Sequence, residues 1–181
     1  HRQFVKAEWV SDTASRLQGA LGEAPVDLGP ALAVDVAPAL MSDAKMATFD
    51  SIVLADVDLE PSRIEAGKVL TVTCYWKAIE RPDVDYSVFI HVLDDEMERV
   101  AQEDGQPLGG NWPTTLWAPA QILLDQHMIQ LPDRLQSGEY KIGIGLYQQG
   151  TGERARLKRD FVVGVMGDDM LILSGRLTVG G

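Results

Sequence analysis

Cysteine is almost missing from this chain. Cys74 is the one thiol in 181 residues, which excludes an internal disulfide and a cysteine-based zinc site and leaves an apolar core to hold the fold. Set between Thr73 and Tyr75 in an apolar run, it reads as a small buried hydrophobe rather than a reactive thiol. No run of 18 apolar residues exists, the longest candidates being broken by Asp35 and Pro38, so no segment crosses a bilayer as a helix. Basic residues are scarce as well: 16 against 27 acidic ones give a net charge of −11. Such a surface repels phosphate backbones and anionic membranes, which argues against a nucleic-acid partner. There is no G-x-S-x-G elbow, no H-E-x-x-H and no glycine-rich phosphate loop, and no cofactor is expected. A first residue of His1 rather than Met is expected of a processed protein or of a piece excised from a longer one.

What is present is ordinary globular material, 45% hydrophobic and 24% charged, enough for one domain and an extension. Val10, Ala14, Leu17 and Leu21 follow the spacing of one helical face, with Ser11 or Asp12 as N-cap and Gly22 as stop, so a short helix is predicted over 11–21. Gly19 inside it costs about 1 kcal/mol relative to Ala, which calls for something to lie against. Pro25, Pro30 and Pro38 make residues 23–47 an extended connector, and the boundary falls near Thr48, dividing 1–47 from a domain at 48–181.

Beyond that boundary, apolar runs of strand length alternate with Gly, Pro and Asp clusters. Strands are predicted at 49–58, 69–79, 86–94, 98–104, 122–131, 139–148, 154–164 and 170–179. Leu70, Val72, Cys74 and Trp76 share one face, and Tyr140, Ile142, Ile144 and Leu146 another. Opposite the latter lie Gly143 and Gly145, which weaken a strand unless a neighbouring group, such as an aromatic ring, approaches its backbone closely. With no long helices between strands, the fold class is all-β: an antiparallel two-sheet sandwich, immunoglobulin-like or jelly-roll, with a short N-terminal helix and extended connector.

The 17-residue loop from Gly105 to Gln121 is the least usual stretch. It carries Trp112 and Trp117 with Pro107, Pro113 and Pro119, a composition that suits an ordered loop. Two readings follow. Its rings, with Trp76 or Tyr147, stack on a sugar or another planar apolar ligand while Asn111 and Thr114 supply hydrogen bonds, or the loop is a lid closing the end of the sandwich. The lid is the commoner use of such rings.

Asp125 and His127 are spaced i, i+2 on one strand face, and with His91, Asp104 or Ser87 they form the polar groups from which hydrolytic machinery would have to be built. The simpler reading is that they satisfy polar atoms inside the sandwich. Residues 94–104 hold six carboxylates and one arginine without EF-hand spacing, so a solvated acidic turn is preferred to a calcium site and no metal is expected. Arg154, Arg156 and Lys158 make a basic stripe that an anionic surface could meet, though charges on an edge strand that discourage aggregation explain it more simply.

One ordered series goes further. Gly67, Leu70-Thr71-Val72-Thr73-Cys74-Tyr75-Trp76, Asp85 through Asp94, and Gln102-Glu103-Asp104-Gly105-Gln106-Pro107 come first. Pro113-Thr114-Thr115-Leu116-Trp117, Asp125-Gln126-His127, Ser137-Gly138-Glu139-Tyr140, Gly145-Leu146-Tyr147 and Thr151-Gly152-Glu153-Arg154 follow. Over residues 48–180 this series resembles the C-terminal extracytoplasmic β-sandwich attached to some bacterial membrane glycosyltransferases of the dolichyl-phosphate-mannose protein mannosyltransferase type. It departs at Pro119-Ala120, where that family commonly has Pro-Gly. The resemblance implies a noncatalytic accessory domain at the outer face of the cytoplasmic membrane, with a glycan or membrane-protein partner. The family's acidic catalytic residues belong to its membrane part, and none is carried over. A structural subunit of an envelope complex, docked through the helix at 11–21, is the alternative, and a hydrolase using His91 or His127 with Asp125 comes third.

Overall fold

Alternation along the chain becomes two layers in the computed structural model, which describes residues 46–119, 121–158, 165–167 and 169–180. The expected helix at 11–21, and all of the connector except Met46 and Ala47, lie outside the described residues. One sheet has the order β1 (Ala47–Phe49), β2 (Ile52–Glu60), β4 (Val69–Ala78), β7 (Ile122–Gln130). The other runs β3 (Arg63–Ile64), β10 (Met170–Val179), β8 (Gly138–Gln148), β5 (Tyr86–Leu93), β6 (Arg99–Gly105), with β9 (Val165–Gly167) paired to β10. All pairings are antiparallel except the two-residue β3–β10 contact. The architecture is an all-β sandwich, and among the described residues no helix is long and apolar enough to cross a membrane.

The core lies between the layers, where Leu70, Val72, Cys74 and Trp76 of β4 meet Ile142, Ile144 and Leu146 of β8 and Val88, Ile90 and Val92 of β5. A second, smaller apolar cluster covers the outer face of the β5–β8–β10 sheet: Phe89, Leu93, Met170 and Ile172, with Tyr147 packed against them. This cluster explains the mid-strand glycines. A Cβ on Gly145 would stand 2.3 Å from Phe89 Cζ, and one on Gly143 2.4 Å from Met170 Sδ, so side chains from neighbouring strands occupy the space that bare backbone leaves.

Two features depart from the strand pattern expected of the sequence. The first strand breaks at Asp50, whose φ of 48° turns the chain, giving β1 and β2 as a hairpin. Residues 154–158 do not form a full strand, and 159–164 lie outside the described residues. Residues 153–158 instead change sheets. Gln148 N donates to Glu153 O and Ala155 N to Leu146 O, at the end of β8 that β10 leaves unpaired. Asp50 N then donates to Arg156 O, and Lys158 N to Thr48 O of β1. This strap closes one side of the sandwich. Ala155 and Leu157 point into the core while Arg154, Arg156 and Lys158 are exposed, so the expected alternation survives although the regular ladder does not.

Candidate functional site

On the opposite side, β6 and β7, the edge strands of the two sheets, lie next to each other. On β7 the pleat turns Leu123, Asp125, His127 and Ile129 inward. Two of these four are polar, which an apolar interior tolerates only if every hydrogen-bonding atom is answered. They are. His127 Nε2 bonds Asp125 Oδ2 at 2.7 Å, His127 Nδ1 bonds Glu103 Oε2 on β6, and Asp125 Oδ1 accepts the backbone N–H of Leu108 at 2.8 Å. One imidazole therefore fastens β7 to β6, and one carboxylate fastens β7 to the loop that follows β6.

Burial alone lowers the pKa of His127, but its hydrogen bonds to Asp125 and Glu103, together with their charges, outweigh that and hold it at about 9. At neutral pH the ring is an imidazolium that donates both N–H groups. As a general base it would have to give up one of these partners, with Asp125 only 1% exposed beside it. The thiol of Cys74, opposite Asp125 in the register, is pushed well above its ordinary pKa by burial and then by Asp125 and Glu103. It is a buried hydrophobe, as its sequence setting suggests.

Over this bridge opens a cleft of about 290 Å³. Glu103, Asp125 and His127 form its charged part, and Gly105, Gln106, Gly109 and Gln126 the rest, with Gln106 Nε2 donating to Gln149 Oε1 beside it. The loop is bent into place by positive φ angles at Leu108, Gly109 and Gly110, where Cβ-free residues carry most of the turn. A Cβ on Gly110 would also meet Gln106 Oε1 at 2.7 Å. Its lining is of acidic, glutamine, glycine and histidine residues, with no Phe, Trp or Tyr. Among the described residues no group of three or more His, Cys, Asp or Glu is arranged to hold a metal ion.

The residues singled out from sequence are distributed differently from a single platform. Trp76 and Trp117 are fully buried and present no face to a ligand: Trp76 meets the edge of Phe49 at 6.2 Å, and Trp117 Nε1 donates to Trp112 O at 3.1 Å. Thr114 is equally buried. Its hydroxyl donates to Val84 O at 2.8 Å and accepts from Tyr86 N at 3.0 Å, so it is committed to holding the loop on β5. Trp112 packs against the core from the loop, and exposed Asn111 donates from Nδ2 to Leu108 O. The loop is the lid. Tyr147 lies elsewhere, on the outer face of the second sheet, 6.4 Å from the Phe89 ring.

The polar residues separate in the same way. Asp125 and His127 meet, but their third member is Glu103 and not Asp104. Successive residues of β6 point to opposite faces, and Asp104 stands across from Phe89 on the outer side. There burial, and then Glu103, raise its pKa. His91 occupies that outer face too, 4.9 Å from Phe89, where burial, then Arg99 and Arg154, lower its pKa to about 4. Arg154 sits over the Phe89 ring at 4.7 Å. Ser87 is buried on the same strand face as Phe89 and His91, away from the inward-facing His127. Glu103 was beyond sequence reasoning because only the meeting of two sheet edges brings it to His127. The solvated acidic turn is a tight one, Asp94 Oδ1 accepting from Glu98 N at 2.8 Å.

The sequence matches no family model and no curated protein. Solved structures that overlay on it include the C-terminal domain of wzt, with a TM-score of 0.46 and 13% identity over 77% of this chain and 80% of that one. The CARDB domain of the PF1109 protein from Pyrococcus furiosus gives 0.38 and 11% over 75% and 94%. A Niemann-Pick type C2 protein from Japanese carpenter ant gives 0.42 and 6% over 76% and 95%. At these identities and scores the overlaps assign neither a function nor a partner.

Proposed function

We propose that this chain is a noncatalytic accessory domain that recognises a hydroxyl-rich ligand, a glycan, in the cleft between β6 and β7. The observation that carries the reading is the engagement of both His127 nitrogens by carboxylates beneath a cleft lined by Glu103, Gly105, Gln106, Gly109, Asp125 and Gln126. Such a lining exchanges hydrogen bonds with sugar hydroxyls, while the one inward-facing histidine is held in a bridge that leaves it no free lone pair. Mechanism here means positioning: the rigid edges of two sheets fix the acceptors, and Gln126, exposed at the rim, supplies an adaptable donor and acceptor. The ordered series from Gly67 to Arg154 supports attachment to a membrane glycosyltransferase on the extracytoplasmic side, where such a domain would hold glycan or protein partners near the enzyme.

Titration of the full chain with neutral and amino monosaccharides, followed through backbone amide shifts, tests the reading. The expected shifts centre on Gly105, Gly109 and Gln126, are lost in Gln126→Ala, and leave the sugar chemically unchanged. Shifts centred elsewhere, or turnover of the sugar, contradict it.

A further inference from the structure

The cleft does not end at the seam. Gln126, one of its lining residues, also stands on the outer face of the β1–β2–β4–β7 sheet, in register with Thr73 of β4 and, through it, Asp58 of β2. The neighbouring rows repeat that order: Asp56, Tyr75 and Leu124 on one side, Glu60, Thr71 and Met128 on the other. Each row thus carries an acid on β2, a hydroxyl-bearing residue on β4 and an amide or apolar residue on β7, with Thr71 and Tyr75 partly exposed and Thr73 buried between them. With strands about 4.8 Å apart, the three rows make a strip about 10 Å wide. Tyr75 is its one aromatic ring, partly exposed and held in place because its hydroxyl donates to Asp58 Oδ2 at 2.8 Å. Met128, in the row beyond Gln126, is 45% exposed.

We infer that this face is the outer half of the recognition surface and takes an oligosaccharide chain, uncharged or amino-bearing, which crosses Tyr75 and passes over Gln126 into the cleft. The inference rests on the glycan reading of the cleft. A fixed ring offers the flat apolar contact that the cleft itself lacks. Asp56, Asp58 and Glu60 accept hydroxyl or ammonium protons and repel uronate or phosphate groups, as does the net charge of −11. A bound peptide would need pockets for alternate side chains, and of the strip's residues Gln126 alone lines the cleft.

The test uses the full chain with glucosamine oligomers from one to six units, their N-acetylated counterparts, a uronate hexamer and a lysine-rich peptide. The expected result is a hexamer at least tenfold tighter than the monomer, and a uronate hexamer that does not bind. Tyr75→Ala should abolish that gain and leave monomer binding in the cleft unchanged, while Tyr75→Phe, which keeps the ring, retains most of it. Thermal unfolding of each variant verifies that the fold is intact. A hexamer indifferent to Tyr75→Ala overturns this inference and leaves the cleft reading standing, as does a lysine-rich peptide that binds the strip more tightly than the hexamer. Failure of every saccharide to bind overturns both.

Discussion

The two internal histidines of this protein face opposite ways, one into the sandwich and one out of it, and are held in opposite states. His127 faces inward at the seam between β6 and β7, charged, with a carboxylate on each nitrogen. His91 lies on the outer face of the second sheet, neutral, against Phe89 and near Arg99 and Arg154. Both are nearly inaccessible, so burial does not separate them. The neighbouring charge does: carboxylates outweigh desolvation at His127, whereas arginines add to it at His91. The seam is consequently an electrostatic fastening and the outer cluster a packing one, and each should fail in its own way.

The largest effect is expected at the seam. His127→Ala leaves Asp125 buried without its counter-charge and severs β7 from β6, which should cost about 3–5 kcal/mol in denaturant unfolding. A loss below about 1 kcal/mol, within the range of an exposed ion pair, would show that the bridge is incidental. In the outer cluster the equivalent break is steric. Gly145→Ala places a methyl group within 2.3 Å of the Phe89 ring, and such overpacking should cost about 1–3 kcal/mol while leaving the pKa of His127 in place. A neutral or stabilising result would show that the ring swings away freely and that the glycine is not required there.

Much of the frame was legible in the sequence because strand alternation is local. The faces of β4 and β8, the turn clusters and the lid composition of residues 105–121 follow from spacing and residue type alone. The i, i+2 pairing of Asp125 with His127 was readable for the same reason. Its completion by Glu103 was not, since that contact joins residues 24 apart across two sheet edges, and Asp104, one position along, points to the other face. Nor could the pattern at 154–158 show that its alternation serves two sheets in succession. The tryptophans illustrate a different limit. An indole in a proline-rich loop is compatible with a ligand or with a core, and only the closure of the sandwich end decides that Trp117 and Trp76 lie inside. Alternation puts Tyr75 on the face of β4 opposite Cys74 and Trp76, but local spacing does not show that its ring stays partly exposed with its hydroxyl on Asp58, 17 residues away.

Titrating both imidazoles by nuclear magnetic resonance tests most directly whether the seam holds a doubly bridged imidazolium beneath the cleft at neutral pH. A pKa raised above the unfolded value of about 6.5 means that the contribution of His127 to stability is fully present below that pH and is lost as pH rises through about 9. For His91 the sign reverses, its contribution being present above about 6.5 and lost as pH falls through about 4. His127 is expected to be protonated on both nitrogens at pH 7 and to titrate near 9, with His91 a neutral ring over the same range. A His127 ring that is neutral at pH 7, with one nitrogen unprotonated, would contradict the doubly bridged imidazolium.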